Sequence, residues 1–213
     1  STNYNNASRR YVKEGFAVFS PLFVFWPYVD RENTEIPNDI RPRLDIKAKW
    51  FGSSIAAIEL YKAFRALDYL LTRDEIDKDD VSVSGLSYGG FYALLSAALD
   101  KRIKCCISSC YFNDRLMVNN AHPQELFDWT WNGIIGKFGD AELVAMICPR
   151  YCILEVGIND YYLPIDGARK EYDKANSYYK KLGVSERLKY IEFDGTHEYN
   201  LKEAIKILKV IRD

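Results

Sequence analysis

Val81-Ser82-Val83-Ser84-Gly85-Leu86-Ser87-Tyr88-Gly89-Gly90 is the stretch on which the architecture turns. Val81 to Ser84 alternates β-branched and small polar residues and reads as a short strand, while Tyr88 to Leu99, rich in alanine, reads as a helix. Between them Gly85-Leu86-Ser87-Tyr88-Gly89 is a G-x-S-x-G, the position a nucleophile elbow takes. That turn is so sharp that its flanking positions tolerate little more than a hydrogen side chain, a demand that Gly85 and Gly89 meet, and it lifts the serine oxygen above the sheet edge. A Gly-rich turn with a capping serine is the plainer reading.

Outward from the elbow, strands and helices alternate. Ser53 opens a helix whose Leu60, Phe64, Leu67 and Leu71 fall on one face. Ile103 to Ser108, Tyr151 to Val156 and Leu188 to Phe193 read as strands, with helices at Ala141 to Met146, Ile165 to Leu182 and Tyr199 to Ile211. This is the α/β class: a mostly parallel sheet with helices on both faces and functional groups at the carboxyl ends of the strands. At the N-terminal side Tyr4 to Lys13 reads as a short helix and Phe16 to Ser20 as a buried strand stopped by Pro21. Pro21 to Gly52 holds four of the seven prolines and reads as loop.

A length of 213 residues predicts one domain over 1–213. Lys plus Arg is 29 and Asp plus Glu is 30, a net charge of −1, so no general pull toward nucleic acid exists, and no G-x-G-x-x-G, P-loop or basic stripe supplies a local one. With 48% hydrophobic residues and no apolar run of membrane-spanning length, no membrane partner is expected. Cys105, Cys106, Cys110, Cys148 and Cys152 crowd into two apolar stretches and predict buried free thiols, which leans toward a cytoplasmic location. Without a C-x-x-C, and with two histidines in all, neither a metal nor another cofactor is expected.

A serine hydroxyl is a weak nucleophile at neutral pH and needs a base, which in turn needs an orienting carboxylate. His197 follows the strand Leu188 to Phe193 at the rim that Ser87 occupies; His122, beside Pro123, is the other histidine and reads as surface. Asp160 is the first carboxylate past the strand Tyr151 to Val156, with Asp166 and Asp114 as competitors. The backbone N–H of Tyr88, the residue after the serine, is placed to stabilise an oxyanion.

With Ser87, Asp160 and His197 in this order, the chain resembles the α/β-hydrolase superfamily, and more narrowly its dienelactone hydrolase-like and acetyl xylan esterase-like branch. The likeness runs through Ala66-Leu67-Asp68-Tyr69-Leu70-Leu71, the elbow, Ala98-Leu99-Asp100-Lys101-Arg102-Ile103, Cys148-Pro149-Arg150 and Phe193-Asp194-Gly195-Thr196-His197-Glu198. It implies a cofactor-free serine hydrolase acting on a small-molecule carboxylic ester, with carbohydrate acetyl esters favoured. Ser87-Tyr88-Gly89-Gly90 also resembles the prolyl-oligopeptidase group, which keeps a serine peptidase as an alternative, and a non-catalytic binding relative is another.

Against that resemblance, the strand at Phe16 corresponds to the family's fourth, so the first three have no counterpart here, nor has the loop that gives a second oxyanion donor. A parallel sheet with such a gap leaves backbone groups unpaired. The expectation is that another part of the polypeptide, a homo-oligomer or a second chain supplies the strands. Asn113 to Asp140 carries Phe127, Trp129, Trp131 and Phe138 and reads as a partial cap or pocket wall, or equally as an amphipathic helix on the core; Trp26 and Tyr28 are further wall candidates.

Overall fold

The computed structural model describes residues 3–23, 40–123 and 136–212. Strands β1 (Val81–Leu86), β2 (Ile103–Ser109), β3 (Tyr151–Gly157) and β4 (Leu188–Phe193) form one sheet in that order, every pair parallel. The register sets Leu86 beside Ser109, Ser109 beside Glu155, and Gly157 beside Phe193. The segments leaving the carboxyl ends of all four strands therefore emerge along one rim.

Side chains alternate across the sheet with the period of two that an extended chain imposes. Cys106, Cys152 and Leu154 face the core built by α4 (Tyr88–Leu99), α6 (Asp140–Ile147) and α7 (Ile165–Lys181), with α3 (Ile55–Leu70) at its margin. Cys105, Ile107 and Ile153 face Tyr11 of α1 (Ala7–Lys13) and Ala204, Ile205 and Leu208 of α8 (Lys202–Arg212). Both faces are covered, as the near-continuous apolar strands require. All five cysteines are free thiols, and all but Cys148 are fully buried. No described helix is long and apolar enough to cross a membrane.

α4 lies so close to β2 that a Cβ on Gly90 would stand 2.8 Å from the Tyr111 Cβ and 2.9 Å from the Ser108 hydroxyl. Of the three glycines around Ser87, the packing thus demands Gly85 and Gly90. Gly89 has nothing within 4 Å of an added Cβ, which corrects the sequence reading.

Four further boundaries differ. The cap of α3 is Ser54, whose hydroxyl accepts from the Ala57 N–H at 3.1 Å. Within Pro21 to Gly52, whose composition predicts loop, α2 spans Ile40–Trp50, because Pro42 falls in the first turn, where a missing N–H breaks no helical bond. Phe16 to Ser20 is not a strand: Val18 and Phe19 face solvent, and Phe16 packs edge-on to Tyr11 with centroids 6.0 Å apart. An extended segment needs an edge to satisfy its backbone, and among the described residues β1 pairs with β2 alone. The last helix begins at Lys202 and not at Tyr199, since Leu201 adopts a φ of 55°. Of the Asn113 to Asp140 segment, α5 (Arg115–Ala121) is described, and buried Asp140 receives Arg115 Nε at 3.0 Å where the segment rejoins the core. Trp26, Tyr28, Phe127, Trp129 and Trp131 lie outside the described residues.

Candidate active site

Ser87 has φ 55° and ψ −116°, a backbone conformation that L side chains rarely adopt. Tertiary contacts hold it there: its N–H donates to the Ser109 carbonyl at 2.9 Å and its own carbonyl accepts from Phe91 N–H at 3.0 Å. A Cβ on Gly85 would lie 1.9 Å from the Gly89 carbonyl oxygen, so the turn closes over glycine alone. The Ser87 hydroxyl does not bond to the helix it precedes, which removes the capping role. Tyr88 follows as the first residue of α4, its ring beneath the Arg41 guanidinium at 4.8 Å.

The loops after β3 and β4 are laced together. A Cβ on Gly157 would come within 2.3 Å of the Thr196 carbonyl, Ile158 N–H donates to Phe193 at 3.0 Å, and Asn159 N–H donates to Gly195 at 3.0 Å. This brings Asp160 and His197 into contact, Oδ2 to Nδ1 at 2.8 Å, while Asp160 Oδ1 accepts from the Tyr162 N–H at 2.8 Å. The Asp160 carboxylate is wholly buried and His197 is 13% exposed. With Nδ1 directed at the carboxylate, Nε2 is the nitrogen available to a substrate. Among the described residues no hydrogen bond joins the Ser87 hydroxyl to the imidazole; catalytic hydrogen bonds in ligand-free enzymes often tighten only in the complex.

The competing groups have other partners. Asp114 caps α5 through the Leu116 N–H at 2.9 Å and pairs with Lys170 at 2.6 Å, and Asp166 is exposed beside Arg169. His122 ends α5 with Nε2 2.9 Å from the Tyr162 carbonyl.

Two buried groups at the rim do not stand out in the sequence. Cys110, in positive φ at 46°, directs Sγ at the Glu198 carbonyl at 3.5 Å, and its thiol lies within 4.8 Å of ligand atoms on both Asp160 and His197. These three could hold a cation, but burial, with Asp160 close by, pushes the Cys110 thiol up to about 12, so it stays a neutral donor at ordinary pH. Glu155 accepts from the Ser109 hydroxyl at 2.6 Å and from the Leu201 N–H at 3.2 Å, bridging the strand beside the elbow to the loop that carries His197. Burial raises its carboxyl above the ordinary range against those bonds. Both positions adjoin or lie within near-continuous apolar runs, in which no period singles them out, and their role in joining the loops depends on cross-strand register.

No family model matches the chain. Among curated proteins, "Putative hydrolase YtaP" of Bacillus subtilis (strain 168) is 26% identical over 148 residues, which cover 68% of this chain and 50% of that protein. "Hydrolyase ccsE" of Aspergillus clavatus is 34% identical over 106 residues, 49% of this chain and 23% of that one. The chain spans half or less of the length of these relatives. Among solved structures, a carbohydrate esterase family 15 (CE15) glucuronoyl esterase from Teredinibacter turnerae T7901 superposes with a TM-score of 0.63 at 18% identity, covering 76% of this chain and 47% of that one. A "putative acetyl xylan esterase" from Bacteroides fragilis NCTC 9343 gives 0.64 at 17% identity, covering 80% and 52%.

The chain has the α/β-hydrolase fold. Within this fold β1 leads into the turn at Ser87, and β3 and β4 lead into the loops that hold Asp160 and His197, so the strand order alone brings three distant stretches of sequence to one rim. The partial coverage of the solved α/β-hydrolase chains accords with strands of the whole sheet lying outside this chain.

Proposed function

We propose that this chain carries the site of a serine hydrolase that cleaves carboxylic esters through an acyl-enzyme, with carbohydrate esters, acetyl esters foremost, as the substrate class. The observation that carries the reading is the 2.8 Å contact between Asp160 and His197 Nδ1 on the rim where Ser87 stands in its strained turn. The names of the superposed esterases and of the curated hydrolases support it.

In the proposed cycle the Ser87 oxygen bonds to the carbonyl carbon as its proton passes to His197 Nε2. The oxyanion so formed faces the Tyr88 N–H, at the positive end of α4. Collapse breaks the carbon–oxygen bond to the alcohol, which leaves with the proton from Nε2. Water then repeats the sequence on the acyl-enzyme and releases the acid. Asp160 holds the imidazole in the Nδ1–H tautomer and stabilises its cation.

A fluorophosphonate probe tests the reading. It is expected to label Ser87 and no other serine, and Ser87→Ala should abolish both labelling and hydrolysis of a short activated ester. Hydrolysis of aminoacyl-arylamides without ester hydrolysis would favour the peptidase, and a folded intact protein that takes no label would favour a binding relative.

A further inference from the structure

Immediately after Asp160 the acid loop carries two tyrosines whose rings belong neither to the core nor to the proposed triad. Tyr161 is 64% exposed and Tyr162 39%, with ring centroids 4.1 Å apart. Tyr162 stands edge-on to His197 at 5.2 Å, and Tyr161 lies at 6.4 Å from the same ring. His122 packs 5.7 Å from Tyr162 and bonds to its carbonyl, so the pair is braced from behind by the end of α5.

Acyl transfer gives such an arrangement a direction. The imidazole returns its proton to the departing alkoxide, and since Nδ1 is engaged by Asp160, that oxygen must approach Nε2 to about 3 Å. Whatever is attached to the oxygen then lies among the groups crowded around His197, whereas the carbonyl oxygen lies toward the Tyr88 N–H. The tyrosine pair therefore borders the alcohol side of the ester. A flat ring held in place and open to water offers large contact area at little entropic cost.

We infer that Tyr161 and Tyr162 form the subsite for the leaving alcohol, and that this alcohol bears a ring, a sugar or an arene, which lies against Tyr161. The inference rests on the serine esterase reading above. Acetate esters of ethanol, benzyl alcohol and methyl β-xyloside, offered to the intact protein and to its Tyr161→Ala and Tyr161→Phe variants, test it. In Tyr161→Ala the ratio of kcat/KM on a ring ester to that on ethyl acetate is expected to fall about three- to tenfold, the size of one aromatic contact, mostly through KM. Tyr161→Phe should keep the ratio, since the ring and not the hydroxyl makes the contact. A fall with the benzyl ester alone identifies an arene, and one with the xyloside ester alone a sugar. An unchanged ratio for both ring esters overturns the inference and leaves the esterase reading standing. Absence of Ser87-dependent hydrolysis of all three esters removes that reading and this inference with it.

Discussion

Ser87 holds its position at a cost in backbone strain. A non-glycine residue at φ 55° and ψ −116° costs on the order of 1–3 kcal/mol, and here the Ser109 carbonyl, the Phe91 N–H and the Gly85 approach impose it. Ser87→Gly removes the side-chain clash but adds about 0.5–1 kcal/mol of unfolded-state entropy. The net expectation is a gain of about 1 kcal/mol, a melting temperature about 2–4 °C higher, in a variant without hydrolytic activity. Ser87→Ala should show no such gain. Equal melting temperatures for the two variants would refute the strain assignment. Residues of this kind are legible in the sequence, because G-x-S-x-G between a strand and a helix encodes a local steric demand. Gly89 is not legible in the same way: whether a glycine is needed there depends on what packs opposite, and Tyr111 and Ser108 stand opposite Gly90 instead.

At the scale of elements, Glu155 is the fastening between β2, β3 and the loop that carries His197 into α8. Its folded pKa is raised by burial, so the sign of the linkage is fixed: ionising it in the folded state costs stability, and the cost is absent below the unfolded carboxyl pKa and fully present above the raised value. Glu155→Gln removes the charge and keeps an acceptor for Ser109 and Leu201. The difference in melting temperature between variant and parent should therefore move in favour of the variant as pH rises from 5 to 8, and a pH-independent difference would show that the carboxyl is not burdened by its burial. The strands and main helices are readable from period, since apolar residues on buried strands and one-faced helices repeat regularly. α2 is not, because four prolines and mixed charge hide a helix that tolerates Pro42 only in its opening turn. Phe16 to Ser20 has the composition of a strand but lacks an edge to pair with among the described residues.

For the molecule as a whole, the outer edge of β1 is where the sheet invites a further strand. Val81 to Ser84 is half-exposed, and among the described residues β2 is the only strand that pairs with its backbone. We expect a strand from elsewhere in the polypeptide or from a second chain to seat there. Amide hydrogen exchange across Val81 to Ser84 should be slower in a protein extended upstream of Ser1, or in its oligomer, than in the 213-residue chain alone, and identical exchange would argue against a strand at that edge.

By itself the sequence determined the α/β class, the sharp turn at Ser87 and the burial of four of the five thiols, because each follows from local sterics or from a repeat that neighbours in the chain impose. Tertiary structure decided what depends on register between strands far apart in the chain. It joined Asp160 to His197, set Cys110 beside both, turned Glu155 into a tie between loops, and stood Tyr161 and Tyr162 against the imidazole. Contacts across a sheet are fixed by pairing and not by sequence neighbours, so no window along the chain contains them.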